Sequence, residues 1–283
     1  MSKVMRSLTP LVSICIPVYN AEMFIATAIE SVLRQTLTDF ELIIVDDHSS
    51  DRSLEIISAY QDDRLRVIVN DHNLGAEGNW NRCLKESKGR YCKILPQDDV
   101  LSPTCLAQQV TVLDQDEQKR IALVFCARTI IDATGVILMS RGYPSGRKET
   151  IGGQLLIRRC LWFGTNLIGE PGGVLFRRDL AVSVGLFDAS VPYVIDLDYW
   201  FRLLLRGDGY YLPERLASFR LSTDSLSVAI GGKQSEEFCR FVARISRNPD
   251  FRTRYVDILM ANLMARINNV MRMMIYHFVL KRG

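Results

Sequence analysis

Five apolar runs, rich in β-branched residues, occupy the first half of this chain, and segments with helical spacing fill the gaps between them. The runs are "LVSICIPV", "FELIIV", "RLRVIV", "YCKIL" and "IALVFCARTII". Most are apolar along nearly their whole length instead of alternating with polar residues, which is the pattern of strands covered on both faces. The first gap, "AEMFIATAIESVLRQT", sets Phe24, Ile25, Ala28, Ile29, Val32 and Leu33 on one helical face. Asn20 is a candidate cap for that helix, and Glu22 would lie in its first turn, where a carboxylate favours the helix dipole. "RSLEIISAYQ" follows the capping residues of "HSSD", "GNWNRCLKESKG" stops at Gly89, and "PTCLAQQVTVLDQ" carries Pro103 near its start. This strand–helix alternation predicts an α/β fold: a mostly parallel, doubly wound sheet with helices on both faces.

The later half reads less regularly. "GGVLFRR" is a strand, "DYWFRLLLRG" a helix ending at Gly207, and residues 139–153 a loop rich in Gly, Ser and charge. Across about 234–281 the chain reads as a strong amphipathic helix. Val256, Leu259, Leu263, Ile267, Val270, Met274 and Phe278 recur there at steps of three and four. That face is expected to pack on the rest of the chain or on a second subunit. The alternative is docking on a membrane surface, which Arg266, Arg272, Lys281 and Arg282 would favour.

Composition narrows the function classes. With 283 residues the chain can hold one large domain or two small ones. A formal net charge of +3 is too near neutral to imply nucleic acid. The seven cysteines are scattered and contain no C-x-x-C pair, which argues against a disulfide framework or a zinc site and for a reducing cytosol. "LVSICIPV" is too short for a signal peptide or a membrane span.

The acids carry the chemistry. Ligands of open parallel sheets bind at the carboxyl ends of strands, and three acidic features fall there: Glu22 past the first strand, Asp46-Asp47 after the second and Asp98-Asp99 after the fourth. Like charges gathered on one edge are costly without a counter-charge. They suit a hard divalent cation, which takes one or two carboxylates and substrate phosphates. Helix capping is the competing role for Asp46-Asp47. A fourth acidic feature, Asp196 and Asp198 at the head of a helix, offers either caps or a general base. Gly169, Pro171, Gly172 and Gly173 read either as a close approach to a ligand or as a simple turn.

Three stretches together resemble family 2 glycosyltransferases with the GT-A fold. They are "VSICIPVYNAEMFIATAIESVLRQTLTDFELIIVDDHSSD", "NLGAEGNWNRCLKESKGRYCKILPQDDVLSP" and "GGVLFRRDLAVSVGLFDASVPYVIDLDYWFRLLLRG", covering about residues 10–228. The resemblance implies an enzyme that moves a sugar from a nucleotide-diphosphate sugar, UDP by default, to an acceptor hydroxyl with inversion. Pro17, Tyr19, Glu22, Asp46 and Asp98 match nucleotide-binding positions, Asp99 the metal contact for Mn2+ or Mg2+, and Asp196 the catalytic base. Glu170 and Asp198 are expected to face donor sugar or acceptor. The implied organisation is a GT-A domain over 1–228, with a nucleotide-sugar half at about 10–130 and an acceptor half at 131–228, followed by a helical extension at 229–283. The implied acceptor is a glycan or lipid-linked sugar of surface polysaccharide or glycolipid synthesis, reached in the cytoplasm or at the inner membrane face.

The sequence departs from the family pattern at Pro96 and Gln97, at Ile195 before the base, and at Ser222, where many members carry a histidine; Asp224 is a substitute ligand. The missing histidine alone keeps a catalytically degenerate, sugar-binding relative open as the alternative, and the intact Asp99 and Asp196 argue against it. A receiver domain of a phosphorelay would place its acid pair after the first strand. A nucleotidyltransferase would show a Gly-rich basic loop where "PVYNAE" stands.

Overall fold

Four of the five apolar runs are strands with both faces covered; the third, Leu65–Val69, lies at the edge of the sheet and leaves Val67 and Val69 exposed. In the computed structural model, which describes residues 9–221 and 233–279, β1 (Val12–Val18) is buried at every position. Its alternate residues enter different cores: Ile14 and Ile16 pack on one side of the sheet, Cys15 on the other. β2 (Phe40–Asp46), β3 (Leu65–Val69) and β4 (Tyr91–Ile94) join β1 in parallel, in the order β3-β2-β1-β4. The register sets Val18 opposite Asp46 and Asp46 opposite Val69, so these three strands end on one line. The connecting helices are α1 (Ile25–Leu33), α2 (Ser53–Ser58) and α3 (Gly75–Glu86).

α1 buries Ile25, Ala28, Ile29 and Val32, as its spacing predicts. Asn20 does not cap it. The chain makes a left-handed turn at Asn20 (φ 48°), and its side-chain oxygen accepts the Ser50 N–H at 2.9 Å instead, tying the loop after β1 to the loop after β2.

The remaining strands make the sheet mixed. β5 (Val100–Leu101) and α4 (Cys105–Gln115) lead to β6 (Ile121–Ile131), which is buried throughout. β6 runs parallel to β10 (Asp208–Arg220), but β9 (Val174–Arg177) lies antiparallel between β4 and β6. The parallel pattern therefore holds for the first half and for β6–β10 only. Apolar periodicity reports how many faces of a strand are covered, not its direction.

The expected loop at 139–153 instead contains parts of β7 (Ile137–Arg141) and β8 (Glu149–Ile151), which add to β6 and β10. α5 (Gly153–Phe163), α6 (Arg178–Val184) and α7 (Ile195–Leu204) cover the second core.

The C-terminal stretch is two helices, not one: α8 (Gln234–Ile245) and α9 (Tyr255–Val279). A 3-10 turn at Pro249–Phe251 separates them. Asn248 caps it by accepting the Asp250 N–H at 3.0 Å, and Arg252 follows in a left-handed conformation (φ 46°). Proline cannot continue a helix interior, so the break is local in origin.

Candidate active site

Three strand ends and two turns assemble the acids along one edge of the sheet. At the end of β2, Asp46 is fully buried and accepts both the Ser49 hydroxyl, at 2.6 Å, and the Ser49 N–H, at 2.9 Å. Asp47 turns the other way, accepting Asn70 Nδ2 and the Leu74 N–H, each at 2.8 Å. Its role is to tie β2 to the entrance of α3. Pro17 is buried within β1 opposite Val45, one residue below the rim. Tyr19 stands half-exposed on the rim. The Gln97 side-chain amide holds both its backbone groups, taking the N–H at 2.7 Å and donating to the carbonyl at 3.1 Å. Gln97, a departure from the family pattern, thus clamps the loop after β1 to the loop after β4. Glu22 is exposed beside them and accepts the Arg52 N–H at 3.0 Å, so one of its oxygens is engaged at the start of α2.

Asp98 and Asp99 form the turn between β4 and β5. Asp99 is buried, with Oδ1 accepting the Arg220 N–H at 3.0 Å. The Arg220 guanidinium donates to the carbonyls of Asp98, Asp132 and Ala133 and not to either carboxylate. Burial, and then the charge of Asp98, push the Asp99 carboxyl well above its ordinary range; burial raises Asp98 as well. Glu170 adds further repulsion on Asp99.

The turn at 169–173 connects this pair to a second acidic centre. Its 3-10 segment Pro171–Gly173 presses on the turn: a Cβ on Gly172 would stand 3.4 Å from Asp99 Oδ2 and 3.2 Å from Leu95 Cδ1. Gly169 (φ 106°) lies against the Arg128 guanidinium, only 2.8 Å from where a Cβ would be. The glycines therefore bring backbone close to this chain's own side chains. Arg128, buried in β6, ion-pairs with Glu170. Lys93, buried in β4, donates to the carbonyls of Gly172 and Val174 at 2.7 and 2.9 Å and so fixes the turn from beneath.

Asp196 opens α7 across this turn. Its Oδ1 accepts the Leu197 N–H at 2.7 Å and its Oδ2 accepts Asn166 Nδ2 at 2.9 Å; the Asn166 amide also bonds Gly169. Burial, and secondarily the charge of Glu170, push the Asp196 carboxyl up to about 7. It lines a cavity of about 130 Å³ together with Arg128, Asn166 and Glu170. A carboxylate of that pKa, held by two donors at a cavity wall, is poised to take a proton near neutral pH.

Asp198 does not join it. Two residues on along α7 is more than half a turn away, and Asp198 instead accepts Arg202 Nε at 2.9 Å and an Arg244 guanidinium nitrogen at 2.6 Å. It binds α8 to α7, which corrects the expectation that it faces sugar or acceptor. Sequence reasoning also passed over Arg128, Lys93 and Asn166. The first two carried a signal, a cation inside an apolar strand. Asn166 carried none.

Among the described residues, no group of three or more His, Cys, Asp or Glu is arranged to hold a metal ion. Ser222 and Asp224 lie outside the described residues. Asp98 and Asp99 still fit a hard cation that brings most of its own ligands: two carboxylates, one half-buried and one buried, mutually repelling, and without an ion pair among the described residues.

The geometry agrees with what the chain is similar to. A protein of Mycobacterium tuberculosis, MT1568, is 32% identical over 74% of this chain and 66% of its own length. TuaG of Bacillus subtilis, a glycosyltransferase named for teichuronic acid biosynthesis, is 31% identical over 79% of this chain and 84% of its own. Among solved structures, Staphylococcus aureus TarS 1–349 in complex with UDP-GlcNAc superposes with a TM-score of 0.66 at 19% identity, covering 83% of this chain and 65% of that one. The mannosyltransferase PcManGT of Pyrobaculum calidifontis, in complex with GDP-Man and Mn2+, gives 0.64 at 16% identity, covering 97% and 77%. These two share the fold. The chain spans about two-thirds of the length of the mycobacterial relative and of the TarS chain. The family model for glycosyl transferase family 2 matches residues 13–182, more than half of the sequence, and the chain belongs to that family.

Proposed function

We propose that the chain transfers a sugar from a nucleotide-diphosphate sugar to an acceptor hydroxyl by a single displacement that inverts the anomeric centre. The observation that carries this reading is Asp196: a half-buried carboxylate raised to about 7, at the wall of a cavity, separated from the Asp98-Asp99 pair by one glycine-rich turn. Tyr19, Glu22 and Asp46 form the rim for the nucleoside, with Pro17 beneath them. Asp98 and Asp99 would hold Mn2+ or Mg2+, which when bound neutralises charge on the departing diphosphate. Asp196 accepts the acceptor's O–H proton as that oxygen bonds to the anomeric carbon. The bond from that carbon to the diphosphate oxygen breaks, and the nucleoside diphosphate leaves with the electron pair. Glu170, held by Arg128, lies where sugar hydroxyls would pass.

The names of similar proteins support surface polysaccharide synthesis as the setting, with a glycan or lipid-linked sugar as acceptor. The solved neighbours bind UDP-GlcNAc in one case and GDP-Man in the other, which leaves both uridine and guanosine donors to test. A GT-A domain over 1–228 with a 229–283 extension suits the site. Within that extension, α8 is knitted to the acceptor half through Arg244–Asp198 and through Glu237, which accepts the Tyr193 N–H at 2.8 Å.

Calorimetric titration of UDP, dTDP and GDP, each with manganese and with chelator, tests the donor half of this reading. Metal-dependent binding of one nucleotide is expected. Failure of all three to bind folded protein would overturn it, and binding without transfer would identify the degenerate relative.

The base must be ionised to act. The rate of transfer at saturating substrate is therefore expected to rise with pH through about 7 and level off above it. A rate that stays flat across that range would remove Asp196 from the step. Arg128→Gln adds a sharper check. Arg128 favours the ionised form of Asp196 and offsets Glu170, so without it the acidic limb should move to higher pH, by roughly 0.5 to 1 on the pH scale. An unmoved limb would mean that the Arg128–Glu170 pair does not act on the base.

A further inference from the structure

α9 wears its large apolar side chains outward. Asp257, Ala261 and Ala265 recur at four-residue steps along its buried line. There α5 comes so close that a Cβ on Gly164 would fall 2.4 Å from the Ala265 nitrogen. Asn268 continues the line, donating to the carbonyls of Phe163 and Gly164 at 2.6 and 3.2 Å. Small residues let the two backbones meet, and this turns the stripe expected to face inward towards solvent. Val256, Leu259, Leu263, Ile267 and Val270 occupy the opposite side of the helix, each between 42% and 56% exposed. On the adjoining α5, Trp162 and Phe163 are each 45% exposed. An uncovered apolar stripe of this length marks an interaction surface.

Charge selects what covers it. From residue 252 onward the sequence carries Arg252, Arg254, Arg266, Arg272, Lys281 and Arg282 against one acid, Asp257. That acid is buried, bonded to Trp162 Nε1 at 2.6 Å and to the Arg254 N–H at 2.9 Å. A second copy would bring this basic segment against its like, with no acid on the exposed side to answer it. An anionic lipid surface supplies both the negative charge and an apolar layer beneath it. We propose that α9 lies in the plane of an anionic bilayer surface, with Val256, Leu259, Leu263, Ile267 and Val270 among the acyl chains and Trp162 and Phe163 at the headgroup boundary. Among the described residues no helix is long and apolar enough to cross a membrane, so α9 rests on the bilayer and does not span it.

Asn268 and Met271 also line a cavity of about 370 Å³ that shares Arg128, Thr165 and Asn166 with the cavity of Asp196. A docked α9 would hold the mouth of this cavity beside the headgroups. That placement as an acceptor entrance rests on the transferase reading; the binding of lipid does not.

Sedimentation of the purified full chain with vesicles tests the proposal. Vesicles of phosphatidylcholine alone should leave the protein in solution, and vesicles with about one-third phosphatidylglycerol should carry it down, less so as salt is raised. Leu259→Gln with Leu263→Gln should lower the partition coefficient at least about tenfold while leaving the thermal melt and calorimetric nucleotide binding unchanged. Arg254→Gln with Arg266→Gln should remove the preference for the anionic lipid. Equal partition to both vesicle types, or a double-glutamine variant that binds like the parent, would overturn it. So would a concentration-dependent dimer that Leu263→Gln dissolves, which would give the face to a second copy. Nucleotide binding is read separately, so a failed membrane reading leaves the transferase reading standing, and the reverse holds too.

Discussion

Asp196→Asn is expected to slow transfer by about a thousandfold while leaving nucleotide affinity within about twofold, because a positioned general base contributes roughly 10²–10⁴ in rate. The substitution keeps the shape of the side chain. An amide oxygen can still accept from Asn166 Nδ2 or the Leu197 N–H, the two donors that hold the carboxylate at 2.9 and 2.7 Å. What it removes is the capacity to take a proton. The same variant should melt at a higher temperature than the parent at pH 8. The folded state raises the Asp196 carboxyl to about 7, above its ordinary value. Its contribution to stability is therefore full at pH below that ordinary value and is lost as pH rises through about 7. Asparagine has no charge to bury, so its gain should appear at pH 8 and vanish near pH 4. Each tenfold change that folding makes in the proton affinity of a carboxylate corresponds to about 1.4 kcal/mol. A gain of about 1 kcal/mol moves the melting temperature of a chain this long by about 2–4 °C. Transfer that survives the substitution would unseat Asp196. Lost transfer with no pH-dependent change in melting would mean that the carboxyl is not raised as the geometry implies.

Asp99→Asn should lower the manganese-dependent part of nucleotide affinity at least about tenfold, with the affinity in chelator unchanged. Asparagine keeps an oxygen for the Arg220 N–H and fills the same space against Gly172, where alanine would leave a gap. The loss is thus of charge and not of shape. Asp99 is buried beside Asp98 and near Glu170, and its carboxyl is raised well above the ordinary range. Its ionisation costs stability as pH rises towards neutrality, so Asp99→Asn should also stabilise the metal-free protein at pH 8. Titration with and without manganese, paired with thermal melts, reads both effects. Manganese-dependent binding equal to that of the parent would take Asp99 out of the metal site.

Much of the first half was legible because its physics is local. Strands covered on both faces must be apolar throughout, and "LVSICIPV" and "IALVFCARTII" became β1 and β6 with no exposed residue among Val12–Val18 and Ile121–Ile131. The acids at strand ends were legible for the same reason, since the end of an apolar run is visible in the sequence. Capping was less so: Asn20 has the right chemistry for a helix cap but is used to bridge two loops through Ser50. The reading of 139–153 as a loop failed because its strands are short: β7 is the return arm of a hairpin with β6, and β8 is fixed only by pairing with Gly209–Tyr211 of β10, far along the chain. Asp198 looked equivalent to Asp196 in the sequence, and helical geometry separated them. One faces the cavity; the other is held by Arg202 and Arg244.

Local pattern was enough for the α/β class, the strand ends, the positions of Asp46, Asp99 and Asp196 at such ends or at a helix head, and the existence of an apolar stripe on the last helix. Packing between distant segments set Asp196 against Asn166 in a cavity shared with Glu170 and Arg128, ran β9 against its neighbours, and turned the stripe on α9 outward. The physical reason is common to all three. Periodicity settles which residues share a face, over a range of a few residues. Which face is covered, and by what, depends on close approach between distant segments, here that of Gly164, after α5, to the backbone of α9 at Ala265.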